Sequence, residues 1–435
     1  LVGSEMCIRD SVCLLLGILI LYFNTGQFGF LSLQNNIGIL GTSLLTTIAL
    51  LMFGGAIGKS AQVPLFVWLP DAMEGPATVS ALIHAATMVK AGVYLVARIV
   101  TLFSSVSDYL LVVAGIGALT AFMAATMSLA TFDIKRILAY STISQVGYMM
   151  FALGLGTSGG WFASQFHLMS HALFKALLFL CAGAVIHVTG TRDIRQMGGL
   201  RRYMPITFVT FIVGVLSLSA VPPFNGFWSK ELILKECYVM GSQVGYLLFF
   251  VGNVTAIITF VYSIRVVSFV FLGEKSDFLK RKRLHEAPSV MTVPLLILAL
   301  ICIVSGFLLD PFAYMMSRIV PVTKNSFTDV EIMSVSLSLL ALMIGGLPAY
   351  IVYVKKSVSP QRFTQGKIFR TIYGMLANGY YFDNLYNYIF VKGCTWLSNK
   401  MRKLQTGILN VNMLSVLTSL LFILGLLFSA WKGII

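Results

Sequence analysis

The stretch that decides the fold is residues 44–98, LLTTIALLMFGGAIGKSAQVPLFVWLPDAMEGPATVSALIHAATMVKAGVYLVAR. Two apolar runs enclose a Gly- and Pro-containing segment with a lysine, Lys59, just before Pro64. Proline removes a backbone donor, so a helix is expected to break near this point. Broken backbone at membrane depth is tolerated only beside protein or a water-filled cavity, and an ionisable residue there indicates a functional site. We therefore predict that Lys59 lies on an ion path through a bilayer.

The composition is that of a multi-pass integral membrane protein. Of 435 residues, 57% are hydrophobic and 11% are charged, and the mean hydropathy is +0.87, whereas soluble domains carry about 25% charged residues. The formal net charge of +15 lies in short clusters between apolar runs, which predicts membrane orientation and argues against nucleic-acid binding. The bacterial inner membrane is the expected location, with an organellar inner membrane or a thylakoid as alternatives.

The hydropathy pattern predicts an all-α fold with about eleven transmembrane helices. The spans are expected near 11–31, 37–69, 77–101, 109–131, 134–155, 161–188, 204–240, 245–272, 290–309, 331–354 and 407–431. The second and seventh are too long for one crossing, and each contains Gly, Pro and a lysine. Because a unit of five spans has an odd number of crossings, two such units predict inverted repeats with two broken helices.

Four basic loops are predicted to lie on one side of the membrane. They occur at 131–136, 189–202, 273–286 and 355–370, and two spans separate each neighbouring pair. This side should be the cytoplasm or its equivalent. Asp133 is expected to cap a helix and to pair with Lys135 or Arg136. For Asp71 and Glu74 the sequence leaves two interpretations: they counter Lys59, or they face water.

Residues 363–404 mix aromatic, polar and basic residues, which predicts a lateral amphipathic helix too polar to span a membrane. A cytoplasmic loop with short helices is the alternative, and Gly379 and Gly393 are the expected break points. The predicted organisation is therefore an atypical start, the remainder of a first repeat, a second repeat, extra transmembrane helices, the lateral helix and a final anchor. The corresponding ranges are 1–10, 11–101, 109–272, 290–354, 363–404 and 407–431. We also expect the chain to be truncated at its N-terminus.

Ionisable side chains within the spans are the candidate functional residues. They are Lys59, His84, Lys90, His167, His171, Lys175, Lys230 and Glu231. A charge at the bilayer centre costs about 2.5 kcal/mol or more, so each needs a reason. The lysines beside helix breaks predict proton transfer, although they could instead only bind freed carbonyls. Lys90 is as consistent with snorkelling or pairing with a carboxylate as with function.

Three of these residues form a column on one predicted helix. In FHLMSHALFKALLF, His167, His171 and Lys175 follow each other at intervals of four and so lie on one stripe. Such a column can relay protons. The alternatives are a metal site, or three polar residues that only complete their hydrogen bonds inside the protein. A metal is disfavoured because no carboxylate or cysteine lies nearby in sequence. A lone His84 could likewise be an ordinary core residue. The predicted proton path contains Lys59, His84, His167, His171, Lys175, Lys230 and Glu231, with no metal site.

These motifs resemble those of a known family. The first motif is GKSAQVPLFVWLPDAMEGPATVSALIHAATMVKAGVYLVAR, and the later ones are FDIKRILAYSTISQVGYM, FHLMSHALFKALLFL, DIRQMGGL and VPPFNGFWSKELIL. Together they are similar to antiporter-like membrane subunits of NADH–quinone oxidoreductase, most of all the L type (subunit 5 or F). The resemblance implies that Lys59, Lys175 and Lys230 are path lysines, with His84, His167 and His171 linking them. It also implies an upstream glutamate that pairs with the first lysine, which this sequence lacks. The more complete path is therefore the one from His167 to Lys230.

The resemblance implies a proton-translocating subunit of the respiratory complex (complex I), driven by redox energy from partner membrane subunits. No nucleotide, haem or iron–sulfur motif is visible, so no cofactor or redox centre is expected on this chain. One alternative is a subunit of a multisubunit sodium/proton antiporter, because the lysine at position 90 is more similar to those proteins than to typical L-type subunits. Another is a purely structural subunit whose lateral helix clamps its neighbours.

Overall fold

The computed structural model describes the backbone of residues 2–318, 329–357, 366–402 and 409–432. The chain divides into two compact units, Leu1–Ala377 and Asn378–Ile435. Within the described ranges the structure contains helices and one isolated antiparallel bridge, between Asp133 and Asp193. The fold is thus helical throughout its described part, as the hydropathy predicts.

The first unit contains seventeen helices that the description below uses. They are α1 (Val2–Thr25), α2 (Phe30–Asn36), α3 (Thr42–Lys59), α4 (Trp68–Asp71), α5 (Ala77–Ala85), α6 (Met88–Ile99), α7 (Ser107–Ala130), α8 (Ile134–Gly154), α9 (Ser158–Thr189), α10 (Pro205–Leu218), α11 (Asn225–Val239), α12 (Gln243–Phe271), α13 (Asp277–Lys280), α14 (Ser289–Val304), α15 (Leu309–Met316), α16 (Asp329–Ala349) and α17 (Lys367–Ala377). Helix α1 runs through residue 10 without a break.

Eight helical segments in the described residues are long and apolar enough to cross a membrane, and a bent pair raises the number to nine. The bent pair is Ser11–Thr25 with Phe30–Ile39, at an angle of 60°. The predicted span 204–240 is divided between α10 and α11, each of them shorter than a full crossing. The count of eleven therefore stays a prediction.

Helix α8 is the centre of the first unit. In its most apolar window 94% of the residues are buried, against 17% for the span Ser334–Val354. A span enclosed by other helices can place polar side chains in internal contacts on all of its faces. A span that faces lipid can do so only on the face that packs against the protein. The polar residues of α8 are accordingly where functional contacts are expected.

Both predicted helix breaks are present, and their backbones match. Ala61 and Ala220 have positive φ angles of 50° and 59°, and a cis peptide bond precedes Pro64 and Pro223. The same three backbone hydrogen bonds close each break. They join Ser60 to Ala56, Ala61 to Gly58 and Gln62 to Ile57 at the first break, and Ser219 to Val215, Ala220 to Ser217 and Val221 to Leu216 at the second. This equivalence supports the predicted internal repeat.

The predicted basic loops meet at one end of the first unit, in the parts that the structure describes. The N–H of Gly199 donates to the carbonyl of Leu272, 3.1 Å away, and the N–H of Ile194 donates to the carbonyl of Phe132 at 3.0 Å. Residues 358–365 of the fourth loop lie outside the described residues. The agreement supports the positive-inside assignment of this end.

The acidic residues near the first break lie at this same end. Asp71 pairs with Arg136 at 3.6 Å, and Glu74 pairs with Arg192 at 3.1 Å. The interpretation that they face the aqueous side is therefore supported over a pairing with Lys59. Asp133 caps α8 by accepting from two backbone N–H groups, as predicted, but its ion pair is with Arg192 at 3.4 Å. The predicted ion-pair partners were wrong because Arg192 arrives from a loop distant in sequence.

The second unit contains α18 (Phe382–Tyr386), α19 (Gly393–Arg402) and α20 (Leu409–Lys432). The chain is interrupted at Gly379–Tyr381, where Gly379 has a φ of +57°. From Phe382 it stays helical to Arg402 through a π-helical turn, Asn387–Lys392. Gly379 is thus a break point as predicted, whereas the prediction for Gly393 was wrong. The start of the predicted anchor, at 407–408, lies outside the described residues.

Candidate functional site

The predicted column on α9 is buried in the core of the first unit. His167, His171 and Lys175 are each 0% exposed. The rings of the two histidines have centroids 6.2 Å apart. His167 Nδ1 lies 2.9 Å from Ser229 Oγ, and its Nε2 lies 3.1 Å from Gln145 Oε1. The column therefore connects α8 with α11, which the four-residue spacing alone could not show.

Lys175 has only neutral oxygens as its hydrogen-bond partners in the described contacts. Its Nζ donates to the hydroxyl of Ser141 and, at 3.2 Å, to the carbonyl of Leu138. Both partners lie on α8. A buried amine held by neutral acceptors has no carboxylate to fix its charge, so it is suited to take up and release a proton.

Lys230 lies at the second helix break. Its side chain is 1% exposed, and Nζ donates to the carbonyl of Leu218 at 3.1 Å. The amine also lies 5.1 Å from the ring centroid of Tyr148 on α8. Because Lys230 follows Ser229 directly, the hydroxyl that contacts His167 is next to it in the chain. The structure therefore brings Lys230 and the α9 column together.

Lys59 has a different environment. It is the last residue of α3, and its side chain is only partly buried. The next residue, Ser60, donates through its hydroxyl to the carbonyl of Val89 at 2.8 Å. The first break therefore packs against α6, beside Lys90.

Lys90 belongs to the site, although the sequence did not decide its role. It is 5% exposed, and its Nζ donates to the carbonyl of Leu168, 2.7 Å away and between the two histidines of α9 in sequence. It therefore does not snorkel, and its described partner is a carbonyl. The role of Lys90 could not be predicted because it follows a helix break at Ala86–Thr87, between α5 and α6. Neither Gly nor Pro marks this break in the sequence.

His84 is buried against α9. It is 0% exposed, and its ring stacks on that of Phe179 with centroids 4.6 Å apart. Neither ring nitrogen has a hydrogen-bond partner within the described part of the chain, and the same holds for both nitrogens of His171. Buried polar groups of this kind commonly bind internal water.

Glu231 contacts α16. Its two carboxylate oxygens accept hydrogen bonds from Ser334 and Ser338, the latter at 2.6 Å. The sequence predicted the 331–354 segment as an ordinary span and so missed these serines. Their spacing of four residues was the available signal, since it places both on one face.

Outside the spans, the basic end holds a compact ion pair. Arg195 Nη2 lies 2.6 Å from Asp193 Oδ2. This hydrogen bond with the Arg195 guanidinium holds the pKa of the Asp193 carboxyl below its usual value. Among the described side chains, no group of three His, Cys, Asp or Glu residues could hold a metal ion.

This arrangement of broken helices and buried amines has counterparts among known proteins. Residues 8–259 match the model of the family described as NADH:quinone oxidoreductase/Mrp antiporter, transmembrane. The chain belongs to this family. It is 38% identical to NAD(P)H-quinone oxidoreductase chain 5 of Picosynechococcus sp., over 94% of this chain and 67% of that protein. It is also 41% identical to the F(420)H(2) dehydrogenase subunit L of Methanosarcina mazei, over 84% of this chain and 58% of that protein.

Solved membrane complexes of the family share the fold. A chain of the Mrp complex from Dietzia sp. aligns with 98% of this chain and 46% of its own length, at a TM-score of 0.75 and 28% identity. A chain of the archaeal membrane-bound sulfane sulfur reductase aligns with 97% of this chain and 75% of its own, at a TM-score of 0.78 and 26% identity. The chain spans about two thirds or less of the length of several relatives that it matches.

Proposed function

We propose that this chain is a proton-translocating membrane subunit of an NADH–quinone oxidoreductase of the complex I type. Its relatives in cyanobacteria and chloroplasts bear the names of NAD(P)H-quinone oxidoreductase subunits. In this proposal other subunits supply the redox energy and hold every redox cofactor. The partners of this chain are neighbouring antiporter-like subunits and the lipid bilayer.

One observation supports this proposal above the others, namely the run of buried amines and imidazoles across both repeats. Lys90 contacts the carbonyl of Leu168, His167 contacts Ser229, and Lys230 follows directly. Lys175 lies two turns from His167 on α9. Each of these groups can accept or release a proton. We propose that they form a proton path, with Lys59 and His84 leading toward it from the first break.

The second candidate function is that of a sodium/proton antiporter subunit, which the match to the Mrp complex favours. Sodium requires several oxygen ligands, however, and the buried ionisable groups of this path are mostly amines and imidazoles, which offer none. Proton transfer is therefore the better match. A purely structural subunit would have no need of buried lysines, whose burial is costly.

The finer architecture belongs to the same proposal. We infer eleven transmembrane helices, with α10 and α11 together forming one broken span. The described part of the 363–404 segment, residues 366–402, then lies along the membrane and contacts neighbouring subunits. This inference is supported by the alternation of apolar and polar residues in α17, whose sequence is KIFRTIYGMLA.

The test is Lys230→Ala in the assembled complex, reconstituted in proteoliposomes. We expect the proton translocation that accompanies quinone reduction to fall by about a hundredfold or more, the lower end of the usual contribution of a proton-transfer group. Lys280→Ala is the control, because Lys280 is an exposed residue of the basic loop. Normal pumping by the Lys230 variant would contradict the proposal. Sodium-dependent transport without an electron donor would favour the antiporter instead.

A further inference from the structure

Helix α16 combines a lipid-facing surface with one polar position. Several of its large apolar side chains are more than half exposed, including Leu340, Met343 and Leu347. Its serines at 334 and 338 face the opposite way, toward α11. Ser334 is 1% exposed. A helix that faces lipid gains nothing from two inward hydroxyls unless they contact something polar.

The group they contact is the carboxylate of Glu231. Ser338 donates to Oε2 at 2.6 Å, and Ser334 donates to Oε1. Each carboxylate oxygen therefore has its own hydroxyl donor. Hydrogen bonds to the charged form favour an ionised carboxylate where burial alone would favour the neutral acid. Serine hydroxyls can also accept a hydrogen bond, so the same pair can hold Glu231 after it is protonated.

The position of this contact along the membrane is informative. Ser334 and Ser338 lie in the first three turns of α16. The other end of this helix leads to Lys356, whose Nζ lies beside Gly273 in a basic loop. The contact with Glu231 is therefore nearer the membrane face opposite the basic loops. In the chain, Lys230 lies between Ser229, which contacts His167 of the α9 column, and Glu231.

We propose that Ser334 and Ser338 are positioning residues that hold Glu231 as the proton acceptor for Lys230, so that α16 forms one wall of the outlet. This inference rests on the proposed function. The ammonium of Lys230 loses one proton and becomes a neutral amine, while the carboxylate of Glu231 gains it and becomes a neutral acid. Glu231 then releases the proton to water at the face opposite the basic loops. Lys230 is protonated again from the His167 side.

The experiment compares Ser334→Ala/Ser338→Ala with Ser336→Ala in the assembled complex. Ser336 is the matched control because it lies on the exposed side of the same helix. We expect proton translocation to fall about fivefold or more in the double variant, since hydrogen bonds to charged groups are the strong ones. The Ser336 variant should pump normally. Threonine at both positions restores the hydroxyls and should restore pumping.

Infrared difference spectra separate a positioning role from a general structural one. The double variant should show a carbonyl band of a protonated carboxylic acid that the parent protein lacks, and adding Glu231→Gln should remove it. If the double variant pumps normally, or if it shows no new band, the proposal is overturned. If it fails to assemble, Ser338→Ala alone decides by the same two measurements, because it removes only the donor to Oε2.

The outcome for Lys230→Ala keeps the two proposals apart. Loss of pumping in that variant, together with normal pumping by the serine variants, would overturn the role of α16 and leave the proton path in place. Normal pumping in both would overturn the proposed function itself.

Discussion

The two helix breaks share one backbone design and differ in how each uses its lysine. Both have a left-handed alanine and the same pattern of closing hydrogen bonds. At the first break Lys59 ends the preceding helix and is partly exposed. At the second, Lys230 comes from the following helix and donates back across the break to the carbonyl of Leu218.

A second difference concerns the side chain that donates to a backbone carbonyl at each break. At the first break the indole Nε1 of Trp68 donates to the carbonyl of Gly58 at 3.1 Å. At the second, the ionisable amine of Lys230 donates to the carbonyl of Leu218, which lies one position further along the matched backbone. The two breaks thus share the same backbone geometry. A backbone carbonyl accepts a hydrogen bond from a neutral side chain at the first break and from a titratable side chain at the second. We infer that the shared backbone is structural and that the donor determines the chemistry.

Glycines that pack against the breaks give the largest expected effects. A Cβ on Gly226 would lie 1.7 Å from the carbonyl oxygen of Ser217, and one on Gly92 would lie 2.3 Å from Ser60 Oγ and 2.5 Å from the carbonyl oxygen of Ala56. Because backbone cannot move aside, we expect Gly226→Ala to lower stability by about 3 kcal/mol or more and Gly92→Ala by about 1–3 kcal/mol.

The yield of assembled complex and its thermal midpoint measure these two effects. Gly115→Ala is the control, since a Cβ there meets nothing within 4 Å and alanine favours a helix. Equal losses for Gly226→Ala and Gly92→Ala would contradict this order, because they would show that the shorter contact at the second break costs no more than the longer contacts at the first.

The lysines come next in expected effect. Lys59→Ala should lower proton pumping several-fold, less than Lys230→Ala does, because water can partly replace a partly buried amine but not a fully buried one. The measurement is the number of protons translocated per quinone reduced, in proteoliposomes. A deeper loss for Lys59→Ala than for Lys230→Ala would place the limiting transfer step in the first repeat.

The smallest expected effect is that of Trp68→Phe. This change removes the indole donor from the carbonyl of Gly58 and keeps an aromatic ring, so we expect stability to fall by about 1 kcal/mol. Pumping should stay within the error of the parent rate, because a neutral donor does not transfer protons. Trp396→Phe on the exposed surface of α19 is the control. A clear loss of pumping would mean that the first break also has a direct chemical role.

Much of the site could be predicted because it depends on local pattern. The four-residue spacing fixed the α9 column, and Gly and Pro marked both breaks. Lys90 could not be assigned in this way, because the helix break before it has no sequence marker. The contact between Glu231 and α16 could not be predicted either, since about a hundred residues separate the partners and the spacing of the two serines shows that they share a face but not which group that face contacts.

Composition and periodicity by themselves determined a helical membrane protein, its broken helices, the common side of its basic loops and the identity of its ionisable residues. Those properties follow from the cost of burying charge and unpaired backbone in lipid, which acts on each segment separately. Tertiary structure alone decided which carbonyl each lysine contacts, that Arg192 and not a neighbour pairs with Asp133, and that α16 contacts Glu231. These contacts depend on the packing of helices distant in sequence, where a rotation of one helix exchanges one partner for another.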